Sequence, residues 1–510
     1  MGNLINEKLR LIVEERYVLA LFIAVFLVLD SLVFILPYYL KGYTIPVGWD
    51  TAWYIRNMRL IEEQGVYSLF IKTREINLFC ILEYLFASIF NISFILTATI
   101  VPIMVGLLFP LVNFQIIKKL TKSRKLALVA MLFTIIDYNT VRMISVFYRN
   151  LFCFLLIEIA VFWVLPDFLE KPSKKRFFIF VLFFTIAGLS QLETFAIAIF
   201  MLLISLLLYL KKRLFKTAKL LLFCVLAPTL IVLSFQAPFL PIFVEKHIIF
   251  DNSGRWYHRQ DLVTEPWCYL ISFGVGLTPL YIAGMYDLLK KTSKNLEKHG
   301  FLFISLWNVI AITSSFLPLL GVRVPGWRFL MLATVPPVAT LGFVKLFIGK
   351  GSFTKKKALI LIVLIATTLI VITVNQSRTF RPWISKDAYE KLLWISNANR
   401  NHSNIIFVLC FDYGRDTFSW AELYRNWIWA VIRTRTNVYF GDVRLLIEHQ
   451  QPTYFENQFL NYTYYVFCNE LEDFTLNNAR IYTIDEWHKN PLNETCFVEV
   501  KPGIYHMEFG

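Results

Sequence analysis

The sequence predicts an α-helical, multi-spanning membrane protein whose last part, residues 376–510, forms an α/β domain outside the membrane. Three observations predict it. Of 510 residues, 57% are hydrophobic and only 17% charged, with a mean hydropathy of +0.56. The apolar residues collect in runs of about 13 to 25, close to the ~20 that cross a hydrocarbon core as a helix. Near Asn375 the composition turns polar and its periodicity changes.

Inside lipid such runs must be helices, because each backbone N–H and C=O needs a partner within its own segment. The first run, Tyr17–Leu40, follows a long charged start with Lys8, Arg10 and Arg16 and precedes no small-residue cleavage site. It is expected to be an uncleaved span. The later runs are Ser93–Ile117, Leu126–Tyr138, Asn150–Leu169, Phe177–Leu189, Phe195–Leu210, Leu220–Phe239, Cys268–Leu289, Phe301–Leu319, Phe329–Val344 and Ala358–Val374. About eleven spans result.

Charge sets their direction. Basic clusters begin at Lys118, Lys171, Lys211, Lys290 and Lys345, between alternate runs. With the N-terminus they hold about 26 of the 51 Lys and Arg, against about twelve in the loops opposite. The positive-inside rule then puts the N-terminus in the cytoplasm. An odd number of spans puts the C-terminus outside. The net charge of +15 is thus a matter of topology, with no nucleic-acid partner implied. Residues 1–375 form the membrane domain, with a first outer loop, 41–92, carrying interfacial helices. Ile76–Asn91 is apolar enough to span, but doing so would move every later basic cluster outside. It is therefore expected to lie in the outer interface, with Glu83 easing that placement. Sequons at Asn91, Asn375, Asn401, Asn461 and Asn493 all fall on the outer side in this scheme.

The tail alternates. Ala388–Asn399 and Ala421–Arg433 have helical spacing. Asn404–Tyr413, TNVYFGD, YYVFCNE, ARIYTID and the closing FVEVKPGIYHMEF are strand-like, the last a hairpin turning at Pro502-Gly503. Alternation of this kind predicts an α/β layer domain. Cys410, Cys468 and Cys496 allow one disulfide there, and spacing does not choose the pair. No CxxC, histidine cluster, Walker motif or dinucleotide glycine pattern is present, which argues against an ATP-driven pump and a nicotinamide enzyme. No ligand cluster for a metal stands out, and a divalent metal cofactor stays open.

The most informative stretch is Pro46–Gly65, PVGWDTAWYIRNMRLIEEQG. Asp50 sits among Trp49, Trp53 and Tyr54, just before Ile55, Met58 and Ile61 recur at helical spacing. Its simplest role is to cap that helix. The alternative is a carboxylate held at the water–lipid boundary to take a proton from a hydroxyl, with Trp53 and Tyr54 suited to a sugar's apolar face. Arg149, Arg323 and Arg328 fall at outer span ends, where guanidinium groups bind phosphate in pairs or snorkel to headgroups. Glu193 lies at a tight outer turn, as an acceptor-orienting group or a plain helix end. Asp30 and Glu158 fall inside spans, where isolated charges are costly. They support a competing secondary transporter, although no repeated halves are visible. A third possibility is a non-catalytic scaffold whose outer domain binds a partner.

A first span, an outer loop with Asp50 in a G-x-D-x-x-x-Y setting and an amphipathic helix closing on Gly65 resemble the GT-C superfamily of membrane glycosyltransferases. TIVPIMVGLLFPLVNFQIIKKLTKSRK is similar to that superfamily's second span and basic inner turn. FYRNLFCFLL resembles the outer start of a later span in archaeal members. LSQLETFAIA matches the hairpin where relatives often carry a histidine, replaced here by the sequence Gln-Leu-Glu. GWRFLMLATVPPVATLGF is similar to the late outer loop with its arginine, and AYEKLLWI to the opening of the outer domain. The likeness covers most of the chain in order. Thr51 after Asp50 departs from the Asp-Glu pair of protein O-mannosyltransferases, and no WWDYG-type motif occurs, so no subfamily follows.

The resemblance implies transfer of a sugar from a lipid-linked donor, polyprenyl or dolichyl phosphate, to a glycan, protein or lipid acceptor outside the membrane. In that scheme Asp50 is the general base and attack inverts the anomeric carbon. Arg149, Arg323 and Arg328 hold the leaving phosphate, while Glu193, Trp53 and Tyr54 bind substrate. Membrane lipid is the other expected partner, and an archaeal cell membrane the expected setting.

Overall fold

The computed structural model describes residues 2–48, 50–73, 76–239, 270–317, 326–349 and 354–379. Beyond these it describes 382, 386, 389–390, 392–393, 405–409, 426–428, 430–431, 437–440, 463–467, 480–484, 497–501 and 504–507. They fall into two compact units. One comprises Met1–Tyr43, Leu69–Leu82 and Thr99–Phe380; the other Thr44–Ser68, Glu83–Ala98 and Arg381–Gly510.

The first unit is helical. Among the described residues, six helices are long and apolar enough to cross a membrane: Tyr17–Lys41, Phe94–Thr121, Tyr148–Glu170, Leu192–Lys211, Phe215–Phe239 and Lys355–Val374. A seventh is added if Arg124–Ile135 and Tyr138–Ile144, bent by 52°, cross as one. The chain is a multi-pass membrane protein. Each of the other expected spans also contains helix, but Lys174–Ser190 and Thr278–Lys294 have 17 residues and His299–Ser314 has 16. At 1.5 Å per residue such helices reach roughly 25 Å, short of the ~30 Å core. Length and apolarity alone therefore do not carry a count of eleven.

In chain order the helices are α1 (Gly2–Lys41), α2 (Thr51–Gln64), α3 (Val66–Thr73), α4 (Leu78–Phe90), α5 (Phe94–Gly106), α6 (Leu108–Thr121), α7 (Arg124–Ile135), α8 (Tyr138–Val146) and α9 (Tyr148–Ile157). A π-helical stretch, Glu158–Val164, leads from α9 into α10 (Leu165–Glu170), followed by α11 (Lys174–Ser190), α12 (Leu192–Lys211) and α13 (Phe215–Gln236). Local chemistry sets the starts. Ser123 accepts from the Leu126 N–H to open α7, and Ser173 from the Arg176 N–H to open α11, each at 3.3 Å.

Aromatic packing joins these helices. Phe109 of α6 lies 5.8 Å from Phe154 of α9, which stacks on Trp307 at 5.9 Å, while Phe162 meets the same indole edge-on. Lipid offers helices no hydrophobic drive toward one another, so close backbone approach matters. Thr278–Lys294 and Val335–Phe343 cross at glycines. A Cβ at Gly284 would run into the Val338 carbonyl, and one at Gly342 into the Leu280 carbonyl.

The second unit combines α2, most of α4 and six strands: β1 (Ile405–Leu409), β2 (Asn437–Phe440), β3 (Thr463–Phe467), β4 (Arg480–Ile484), β5 (Phe497–Lys501) and β6 (Ile504–Met507). They form one sheet in the order β2-β1-β3-β4-β6-β5. The first four strands are parallel neighbours, with Phe407 opposite Val438 and Tyr465. β6 pairs antiparallel with both β4 and β5. Parallel connections need crossovers of a dozen or more residues, so the 27, 22 and 12 residues between successive strands of β1 to β4 suit this half, while the two residues after Lys501 suit only a hairpin. Pro502-Gly503 itself, and Cys410, Cys468 and Cys496, lie outside the described residues.

Glu83 lies on α4. It is fully buried, and neither carboxylate oxygen has a hydrogen-bond partner among the described residues. Burial holds its carboxyl well above the ordinary range.

Candidate active site

In the second unit, α2 forms because Ala52, Ile55, Met58 and Leu60 bury one side of an otherwise polar segment. It stops at Gly65, whose φ of 80° favours glycine and whose N–H bonds to the Ile61 carbonyl at 2.8 Å. Asp50 occupies the capping position. Its backbone is nevertheless right-handed (φ −84°, ψ −2°), not extended, and its side chain makes no capping hydrogen bond. The structural job that the sequence offers Asp50 is thus not the one it performs.

Its neighbours are held firmly. Thr51 donates to the Val47 carbonyl at 2.7 Å. Trp53 and Tyr54 meet edge to face at 5.0 Å, with Tyr54 buried and Trp53 and Asp50 half-buried. The next turn reaches toward the end of the chain. Arg56 donates to Asn426 at 2.7 Å, Gly48 bridges to Pro382, and Arg59 lies in the fields of Glu63, Glu62 and Tyr389. Sequence patterns did not single out Arg56 or Arg59, since partners some 370 residues away leave no local signal. Trp49 lies outside the described residues.

The first unit gathers three of the other sequence-predicted residues at one end. Arg328 places its guanidinium 5.1 Å from the ring centre of Phe147, the residue joining α8 to α9. Arg149 follows two residues later, in the first turn of α9. One turn deeper, the Cys153 thiol contacts the Ala187 and Gln191 carbonyls at 3.4 and 3.7 Å. Gln191 starts α12, with Glu193 in its first turn, and the charges of Arg149 and Glu193 both act on Cys153. Arg149, Glu193 and Arg328 are all half-buried. Arg323 lies outside the described residues.

α8 organises this end. Asn139 donates to the Leu330 carbonyl at 3.3 Å, while Phe147 receives Arg328. Arg142, three residues after Asn139, lies one turn further along the same face of α8. No local pattern singles it out. The end can therefore present guanidinium groups from α8, from α9 and from the short helix Gly326–Leu330, with a carboxylate from α12 nearby. Such an arrangement binds phosphate oxygens through charge-assisted hydrogen bonds. No group of three or more His, Cys, Asp or Glu that could hold a metal ion occurs among the described residues.

No protein-family model and no curated protein matches the sequence. Among solved structures, the chain is similar to the arabinofuranosyltransferase AftD from mycobacteria, with a TM-score of 0.50 and 11% identity over 84% of this chain. This chain spans about a third (33%) of that protein's length. The likeness is one of fold.

Proposed function

We propose that the chain is a membrane glycosyltransferase that moves a sugar from a polyprenyl-phosphate donor to an acceptor hydroxyl on the extracytoplasmic side. The observation that carries this reading is the convergence of Arg149 and Arg328, 179 positions apart, at Phe147 in a GT-C-like fold. The proposed chemistry assigns each group one task. The acceptor O–H gives its proton to Asp50 as its oxygen bonds to the anomeric carbon from the face opposite the phosphate. The bond between that carbon and the phosphate oxygen breaks, and its electron pair leaves on the phosphate. Arg149, Arg328 and Arg323 stabilise the charge that develops there. Glu193 orients the acceptor, and Trp53 and Tyr54 contact the sugar ring.

Support for Asp50 as base comes from a carboxylate at a helix start that is not consumed by capping. The orientation rests on the basic inner loops, which favour a cytoplasmic N-terminus and an extracellular 376–510 domain; an archaeal cell membrane as the setting rests on the family resemblance and the sequons. A panel of polyprenyl-phosphate sugars offered to the purified protein in nanodiscs tests the proposal. Transfer of at least one sugar is expected. Failure with every mono- and diphosphate donor would remove it.

A further inference from the structure

A second cluster of polar side chains lies in the first unit, unused by the proposed chemistry. α6 and the Tyr148–Glu170 helix run side by side in the same direction. Phe109 meets Phe154, and ten residues further on Lys119 donates to the Trp163 carbonyl at 2.8 Å. Asn113, one turn past Phe109, is therefore level with Glu158, one turn past Phe154. Asn113 also donates through Nδ2 to Thr134 Oγ1 at 3.2 Å, at the end of α7. The Thr134 carbonyl accepts the Asp137 N–H at 3.0 Å, where α7 bends by 52° into α8. Three helices thus bring Asn113, Asp137 and Glu158 into one layer, and the charge of Asp137 acts directly on Glu158.

The layer has acceptors and too few donors. Asp137 spends Oδ2 on the Thr140 N–H and hydroxyl, at 3.1 and 2.6 Å, and leaves Oδ1 without a partner. Glu158 Oε2 and Asn113 Oδ1 are also without partners, as is Asn139 Oδ1 two residues beyond Asp137. All four residues are at most 3% exposed. Buried polar atoms are seldom left unmatched, and each costs stability. Glu158 further opens the π-helical stretch, a distortion frequent at functional sites.

The chemistry selects the ligand. Oxygen donors alone suit a hard cation. No Lys, Arg or His is bonded to either carboxylate among the described residues. Carboxyl groups that bind a metal give up their protons, and the two negative charges that result are neutralised by a dication and not by a monovalent ion. We propose that Asn113, Asp137 and Glu158 form a binding site for a hard divalent cation, Mg²⁺ or Ca²⁺, at the bend between α7 and α8. With two carboxylates and an amide, it is poorer in acidic ligands than a site built from three or more His, Cys, Asp or Glu. By fixing the bend, the ion steadies α8 and the Phe147 corner that receives Arg328. The site stands whether or not the chain transfers sugar.

The test uses the full chain in nanodiscs of neutral lipid, stripped with EDTA and then titrated with MgCl₂ or CaCl₂ against NaCl at equal ionic strength. A saturable upward shift in melting temperature with a divalent ion is expected, lost in Asp137→Asn and Glu158→Gln, weakened in Asn113→Leu and kept in Asp30→Asn. Equilibrium dialysis with radioactive calcium gives a second readout for variants that melt poorly, with loss of one bound ion per chain expected. No divalent-specific shift in the wild type, an equal shift with NaCl, or retention of the bound ion in the Asp137→Asn/Glu158→Gln pair would overturn the site.

Discussion

At the scale of single residues, the structure separates what a side chain could do from what it does. Asp50 stands where a cap belongs and does not cap, whereas Asp137 stands in the same position on α8 and does. The two look alike in sequence, Asp before a helical run, and only the geometry tells them apart. Arg328 shows the converse. The charge pattern drew attention to Arg328 but not to its seat on Phe147, because cation–π pairing leaves no periodic trace. Replacing Arg149 or Arg328 with Ala should raise the donor KM by roughly 10- to 100-fold, the worth of a charge-assisted hydrogen bond, with a smaller effect for Lys. Steady-state kinetics with varied donor checks this. Glu83 makes a pH prediction. Its folded carboxyl binds a proton more tightly than the unfolded one, from an ordinary value of 4.5. Stability from Glu83 is therefore full below about pH 4 and declines as pH rises toward the folded value. Glu83→Gln should match the wild type in its dependence at low pH and lose less melting temperature as pH rises above the ordinary carboxylate value of 4.5.

Among elements, hydrophobic runs gave the helices and composition missed their interruptions. Tyr17–Leu40 and Ala358–Val374 coincide with rods in the structure, since a run flanked by charges has clear ends. Leu126–Tyr138 reads as one span yet ends in a bend, because the Asp137 N–H turns back to the Thr134 carbonyl and interrupts the helix within an apolar stretch. The strands overlap the stretches whose alternation marks them, while their neighbours in the sheet, such as β1 between β2 and β3, depend on pairings that alternation does not encode. The crossing of Thr278–Lys294 with Val335–Phe343 was equally invisible, for a glycine inside an apolar run looks incidental. Gly284→Val or Gly342→Val would drive a side chain into a carbonyl and should abolish monodisperse protein in detergent, whereas Ala339→Gly should cost about 1 kcal/mol. Size-exclusion profiles after purification distinguish these outcomes.

For the whole molecule, the charge asymmetry makes a topological claim. Asn91 is exposed in a turn with φ 51°, so a glycan could be attached there if the loop lies outside. Cysteines introduced at Asn91 should react with an impermeant maleimide in intact cells, and cysteines introduced at Ser173 should not. The reverse pattern would invert the orientation and leave the helical architecture untouched.

Glycosyl transfer with Asp50 as base is tested most directly by the single-turnover rate of sugar transfer for the wild type and Asp50→Asn, in nanodiscs at saturating donor and acceptor. The account predicts a loss of about 10² to 10⁴-fold in Asp50→Asn, with donor binding kept. A rate within a few-fold of the wild type would contradict it.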